Sequence, residues 1–89
     1  MLKKRALERI VRGFSNHRRI EMLELIGKNP ELSLSEIAGE LKINLKTSSG
    51  HLMRLIVAGM IMKKSNKNKI MHKLSGRGEL VLKFLNSLE

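Results

Sequence analysis

The sequence has no cysteine, tyrosine or tryptophan, one proline and two phenylalanines, and it has no aspartate. Without cysteine there are no disulfides and no thiolate metal sites, and the redox compartment is left open. The two phenylalanines, Phe14 and Phe84, fall at stripe positions that read as core. That leaves no aromatic platform on which unpaired bases could stack, so single-stranded nucleic acid is disfavoured as a partner. No run approaches the ~18 consecutive apolar residues of a membrane span. The opening segment, MLKKRALERIVRG, is charged every few residues and has no apolar h-region; no signal peptide is expected, and the expected place is the cytoplasm, with no membrane partner. Enzyme chemistry is also short of parts. Neither Cys nor Asp is available, there is no Gly-rich phosphate loop, and no Ser/His/acid set forms a credible constellation. No catalytic residues and no cofactor are expected.

What the chain has in quantity is positive charge. Eighteen Lys and Arg oppose eight acidic residues, a net charge of +10, which favours a polyanionic partner. The charge is unevenly placed: Met60 to Leu74 holds five lysines and no acid, and Met1 to Arg19 holds seven basic residues and one Glu. At 89 residues the chain is expected to form one domain, 1–89, with no room for a second core. Its 42% hydrophobic share includes six Met, which fits a soft core or a Met-lined interface.

Periodicity then divides the chain. Leu7, Ile10, Val11 and Phe14 keep helical spacing in a first helix over 2–13, with Gly13 as its stop and Lys3, Lys4, Arg5, Arg9 and Arg12 on the other side. Those charges fit a solvated face, or a flank near DNA phosphates or a dimer edge. Ser15 or Asn16 caps a second helix to Lys28, striped by Ile20, Leu23 and Ile26 with Met22 and Leu25 beside them, and Gly27, Asn29 and Pro30 end it. Ser33-Leu34-Ser35-Glu36 is a capping box opening a third helix to about Lys42. Ile43 and Asn44 form a tight turn, and Asn44 caps a fourth helix that ends before Gly59. Two short helices joined in this way predict a helix-turn-helix.

The fourth helix, NLKTSSGHLMRLIVA, has two kinds of face. Ser48, Leu52, Leu55 and Ile56 make a packed stripe, while Leu45, Lys46, Ser49, Gly50 and Arg54 fall mostly elsewhere; none of the latter is acidic. A small, basic, hydroxyl-bearing face suits a DNA groove. Lys46 and Ser49 are the candidates for base edges; Thr47 and Arg54 are expected to hold phosphates. Leu45 either touches a thymine methyl or staples the helix start to the core. His51, beside the inward stripe, is expected to pack or hydrogen-bond, with a DNA contact as the other reading. Gly50, mid-helix, costs ~1 kcal/mol relative to Ala; it either permits close approach of a phosphate or partner or is a tolerated weakness.

Met60-Ile61-Met62 and Ile70 to Leu74 predict two short strands around a polar segment, Lys63 to Lys69, giving a hairpin with a basic tip. Lys63, Lys64, Lys67 and Lys69 are expected to contact the DNA backbone or minor groove rather than form an ordinary solvated turn. Ser75 caps a last helix over 75–88, in which Val81, Phe84, Leu85 and Leu88 form one stripe and Leu80 and Leu82 add apolar surface. The excess predicts that this helix, with the first, pairs with a second copy, against the plainer role of closing the monomer core. The fold class expected is mainly α with a small β-hairpin.

Several segments together carry a family resemblance: Phe14-Ser15-Asn16-His17-Arg18-Arg19-Ile20-Glu21-Met22-Leu23, Leu34-Ser35-Glu36-Ile37-Ala38, Leu41-Lys42-Ile43, and Thr47-Ser48-Ser49-Gly50-His51-Leu52 through Gly59-Met60-Ile61. The chain resembles the winged helix-turn-helix repressors of the arsenic-repressor (ArsR) class. The multiple-antibiotic-resistance (MarR) class is a second choice, through Leu74-Ser75 and Gly78. The resemblance covers about residues 14 to 78. It implies a winged helix-turn-helix with four helices, a two-stranded wing and a fifth helix, a homodimer through the terminal helices, and repression of transcription by occupying double-stranded DNA at a promoter. Metal-sensing members use Cys near the third helix, or Asp and His on the last. This chain has neither Cys nor Asp, its last helix has no His, and His17, His51 and His72 are far apart in sequence, so no metal is expected. Two other readings stand beside the repressor: a winged helix that binds only protein, and a sequence-tolerant architectural DNA-binding protein.

Overall fold

A computed structural model describes all of residues 1–89. Five helices and one hairpin follow in the order α1 (Lys4–Phe14), α2 (His17–Lys28), α3 (Leu34–Leu41), α4 (Leu45–Val57), β1 (Ile61–Asn66), β2 (Lys69–Leu74) and α5 (Gly76–Ser87). No helix is long and apolar enough to cross a membrane.

Most helix starts are fixed by side chains in the sequence. Asn16 Oδ1 accepts the amides of Arg18 and Arg19 at 2.9 and 3.2 Å. The box at α3 closes in both directions: the Glu36 amide donates to Ser33 Oγ at 3.3 Å, and the Ser33 amide donates to Glu36 Oε1 at 2.8 Å. Asn44 Oδ1 accepts the Thr47 amide at 2.8 Å, and Ser75 Oγ accepts the Gly78 amide at 3.0 Å. Each such cap satisfies donors that a helix start leaves free and contributes about 1 kcal/mol. Helix α4 stops in a Schellman arrangement: Met60 N–H reaches Leu55 O and Gly59 N–H reaches Ile56 O, both at 2.9 Å. Gly59 takes φ +79° there, a conformation that glycine adopts without a Cβ penalty.

The core joins α2, α3, α4, the base of the hairpin and α5. Met22, Leu23, Ile26, Ile37, Leu55 and Met60 are fully buried, with Leu52, Ile61 and Val81 at their edge. Truncating one such residue, Leu55 for example, costs about 2–5 kcal/mol. Two glycines serve this packing. At Gly13 a Cβ would lie 2.5 Å from Ala58 Cβ, so this residue lets α1 close onto the end of α4. At Gly78 a Cβ would run into the Met60 carbonyl oxygen, so α5 lies directly on the start of the hairpin.

Several expectations are corrected. The first helix is shifted to Lys4–Phe14, and Gly13 lies buried inside it rather than stopping it. The hairpin strands are longer than expected, pairing Ile61 with Leu74 through Asn66 with Lys69, so that only Lys67 and Asn68 turn. The polar segment has no apolar alternation to mark it as strand, yet its backbone pairs because β2 runs beside it. On α5 the stripe divides. Val81 is buried and Leu82 and Leu85 half-buried, whereas Leu80, Phe84 and Leu88 are exposed. On α1, Leu7 and Val11 are exposed while Ile10 and Phe14 are half-buried. Phe84 is therefore not a core residue.

Candidate nucleic-acid interface

Helix α3, the turn Lys42-Ile43-Asn44 and helix α4 form the helix-turn-helix. The turn is made by Lys42 at φ +55°, with the Ile43 amide reaching back to Ala38 O at 3.0 Å. Ile43 packs against the core, which fixes the angle at which α4 leaves.

Residues three and four apart share a helix face, and α4 sorts accordingly. Ser48, Leu52 and Leu55 are buried. Lys46, Gly50, Met53 and Val57 lie along the opposite, exposed face. Thr47 and Arg54, also exposed, flank it on the same side as the half-buried His51. Leu45 and Ser49 flank it on the other side, where they line a cleft of about 740 Å³ with Leu34, Glu36, Ile56 and the hairpin residue Ile70. Leu45 is 54% exposed, so the staple reading of this residue does not hold. A Cβ on Gly50 would meet nothing within 4 Å; packing within the chain does not require glycine there.

The hairpin stands beside this cleft and is pinned at two places. His72, buried, uses its backbone N–H and its ring Nδ1 to bond the Leu32 carbonyl oxygen, each at 3.0 Å. Lys69 Nζ lies 2.9 Å from Glu36 Oε1. The Ser33 amide, and next the Lys69 ammonium, hold the Glu36 carboxyl at about 2, below the usual carboxylate range. The four wing lysines consequently do not form one basic tip. Lys63, opposite His72, lines the cleft. Lys64 is the next residue along the strand and points to the other face. Lys67 sits in the turn at φ +55°, and Lys69 is tied to α3.

On the far side of α4 the charges that bear on His51 are all basic. His51 is held below its ordinary titration range by burial and then by Arg19, Arg54, His17 and Arg18. Arg19 is lowered by burial and then by Arg54. No group of three His or Glu residues comes together as metal ligands would. Sequence reasoning missed Arg19, Met53 and Val57. The last two were accessible by spacing from Lys46 and Gly50; Arg19 was not, since its neighbours come from another helix.

A helix-turn-helix followed by an antiparallel hairpin packed beside its second helix defines a winged helix. A family model of winged helix-turn-helix DNA-binding proteins matches residues 15–62, more than half of the chain, and the chain belongs to this family. Solved structures share the fold at low identity. The homodimeric winged helix-turn-helix DNA-binding domain of a possible ArsR-family transcriptional regulator from Mycobacterium bovis superposes with a TM-score of 0.84 at 20% identity, over 93% of this chain and 77% of that one. HlyU of Vibrio cholerae, in its reduced form, gives 0.80 at 23% identity over 93% and 87%. FabT of Streptococcus pneumoniae, solved in complex with DNA, gives 0.72 at 22% identity over 79% of this chain and 51% of FabT, so the chain spans about half of FabT's length. No curated protein matches the sequence.

Proposed function

We propose that residues 1–89 act as one unit that binds double-stranded DNA as a homodimer in the cytoplasm and represses transcription by occupying a promoter. The observation that carries the reading is the exposed face of α4. Lys46, Thr47, Ser49, Gly50 and Arg54 all face solvent on the second helix of the helix-turn-helix, and the side chains of Lys46, Thr47, Ser49 and Arg54 make no hydrogen bond or salt bridge within the chain. The N-terminal end of α4 enters the major groove. Lys46 and Ser49 contact base edges, since Lys reaches the acceptors of guanine and Ser pairs with several edges. Leu45, exposed at the helix start, contacts a thymine methyl. Thr47 and Arg54 hold phosphates on one rim, and Lys63, Lys64 and Lys67 hold them on the wing side, with Lys69 contributing less because Glu36 competes for it.

The dimer is supported by unpartnered apolar side chains on both terminal helices, Leu7 and Val11 on α1 and Leu80, Phe84 and Leu88 on α5, and by the homodimeric state of the Mycobacterium bovis domain. A two-fold dimer places two α4 helices on half-sites about 34 Å, or one turn, apart. A sequence-tolerant architectural role is the second reading, favoured by one observation: the outward face of α4 offers a single long polar side chain, Lys46, beside a glycine.

Lys46→Ala tests base contact. Operator affinity should fall while affinity for random duplex holds. Equal weakening on both would assign Lys46 to a phosphate.

A further inference from the structure

The flank of α4 turned away from the wing holds more cations than counter-charges. The Nε of Arg19 is buried and has no hydrogen-bond partner, an arrangement that leaves a charged donor desolvated and unpaid by any acceptor. The charges bearing on His51 are Arg19, Arg54, His17 and Arg18, all basic. The one carboxylate bonded within this group, Glu21, is taken by Arg18 at 3.1 Å. From α1, Arg9 and Arg12 share a small cavity of about 300 Å³ with Arg54, and Arg12 is paired with Glu8 at 3.2 Å. The first turn of α2 holds His17, Arg18 and Arg19 and no acid, which places cations at the positive end of a helix dipole. These features share one remedy, an anion. Two guanidinium groups beside an imidazole suit a phosphate, because each guanidinium presents a planar fork of donors. The location agrees: phosphates line both rims of a major groove about 12 Å wide, and the wing attends to only one rim.

We propose that Arg19, His51 and Arg54 form a seat for one phosphate of the DNA backbone, on the rim opposite the wing, with His17 and Arg18 at its edge. The proposal rests on the reading of α4 as the helix that enters DNA. A seated phosphate offsets the repulsion and favours protonated His51, so the complex carries more bound protons than the free protein. DNA affinity therefore rises as pH falls, down to the point below the ordinary imidazole range where His51 of the free protein itself becomes protonated.

The test is binding of the full chain to a mixed-sequence duplex, measured by fluorescence anisotropy against salt and pH. Arg19→Gln should flatten the slope of log affinity against log salt by about 0.9, the contribution of one phosphate, with a melting temperature equal to or above the parent's. His51→Gln should lose the gain in affinity that the parent shows on acidification. An unchanged salt slope in Arg19→Gln, with duplex binding retained in the parent, overturns the seat and leaves the proposed function standing. Absence of duplex binding by the parent sinks the functional reading and, with it, the assignment of the seat to DNA. In a parent that binds duplex, imidazole resonances of His51 read the seat separately. A shift with duplex that Arg19→Gln abolishes supports it; saturation by inorganic phosphate with no response to duplex overturns its assignment to the DNA backbone.

Discussion

Replacing Gly50 by Ala should make the protein more stable and worse at binding DNA. The first half follows from the helix. Gly50 lies inside α4, where glycine is about 1 kcal/mol less favourable than alanine. Nothing within 4 Å would meet the added Cβ, so no steric term opposes the gain. For a domain of this size, ~1 kcal/mol raises the melting temperature by about 4–8 °C. The second half follows from position. Gly50 shares the outward face with Lys46 and Met53, the face proposed to meet DNA. A methyl forced into a close backbone approach costs about 1–3 kcal/mol, as overpacking does elsewhere, which is a loss of about 5-fold to 150-fold in affinity. Thermal unfolding followed by circular dichroism reads the first quantity and anisotropy titration the second. A lower melting temperature would refute the claim that the site is free of packing. A stable variant with parental affinity would refute close approach and make Gly50 a tolerated weakness.

Other perturbations test other parts of the account. Ser48 is fully buried and its Oγ has no partner, so Ser48→Ala should raise stability by about 1 kcal/mol or more, read by urea unfolding. Gly78→Ala should lower stability by about 1–3 kcal/mol, since its Cβ meets the Met60 carbonyl and not a yielding side chain. The Glu36 carboxyl is held at about 2. A depressed carboxylate contributes stability that is full above its unfolded value near ~4.3 and is lost as pH falls towards the folded value; Glu36→Gln should abolish that part of the acid dependence between these limits. Phe84→Glu should yield a monomer by light scattering with the fold intact, and a persistent dimer would place the contact elsewhere.

Legibility in the sequence followed the locality of the interaction. The caps at Asn16, Ser33, Asn44 and Ser75 were readable because donor and acceptor lie within three residues of each other. The inward stripe of α4 was readable because burial repeats with the helical period. The hairpin was harder: Lys63 to Lys69 has the composition of a loop, and only the paired register reveals strands that reach Asn66 and Lys69. The apolar excess on α5 was visible, but its division into Val81 inside and Leu80, Phe84 and Leu88 outside depends on how the helix is rotated against α2. The pairs that shape the interface were not legible at all. Glu36 with Lys69 and Leu32 with His72 join elements that no local spacing connects.

Selection of bound sequences from a random duplex library at about 150 mM salt, where non-specific phosphate binding is already weakened, tests the central claim most directly. The account predicts an enriched palindrome with half-sites about one helical turn apart. Retained binding without any enriched sequence would contradict it.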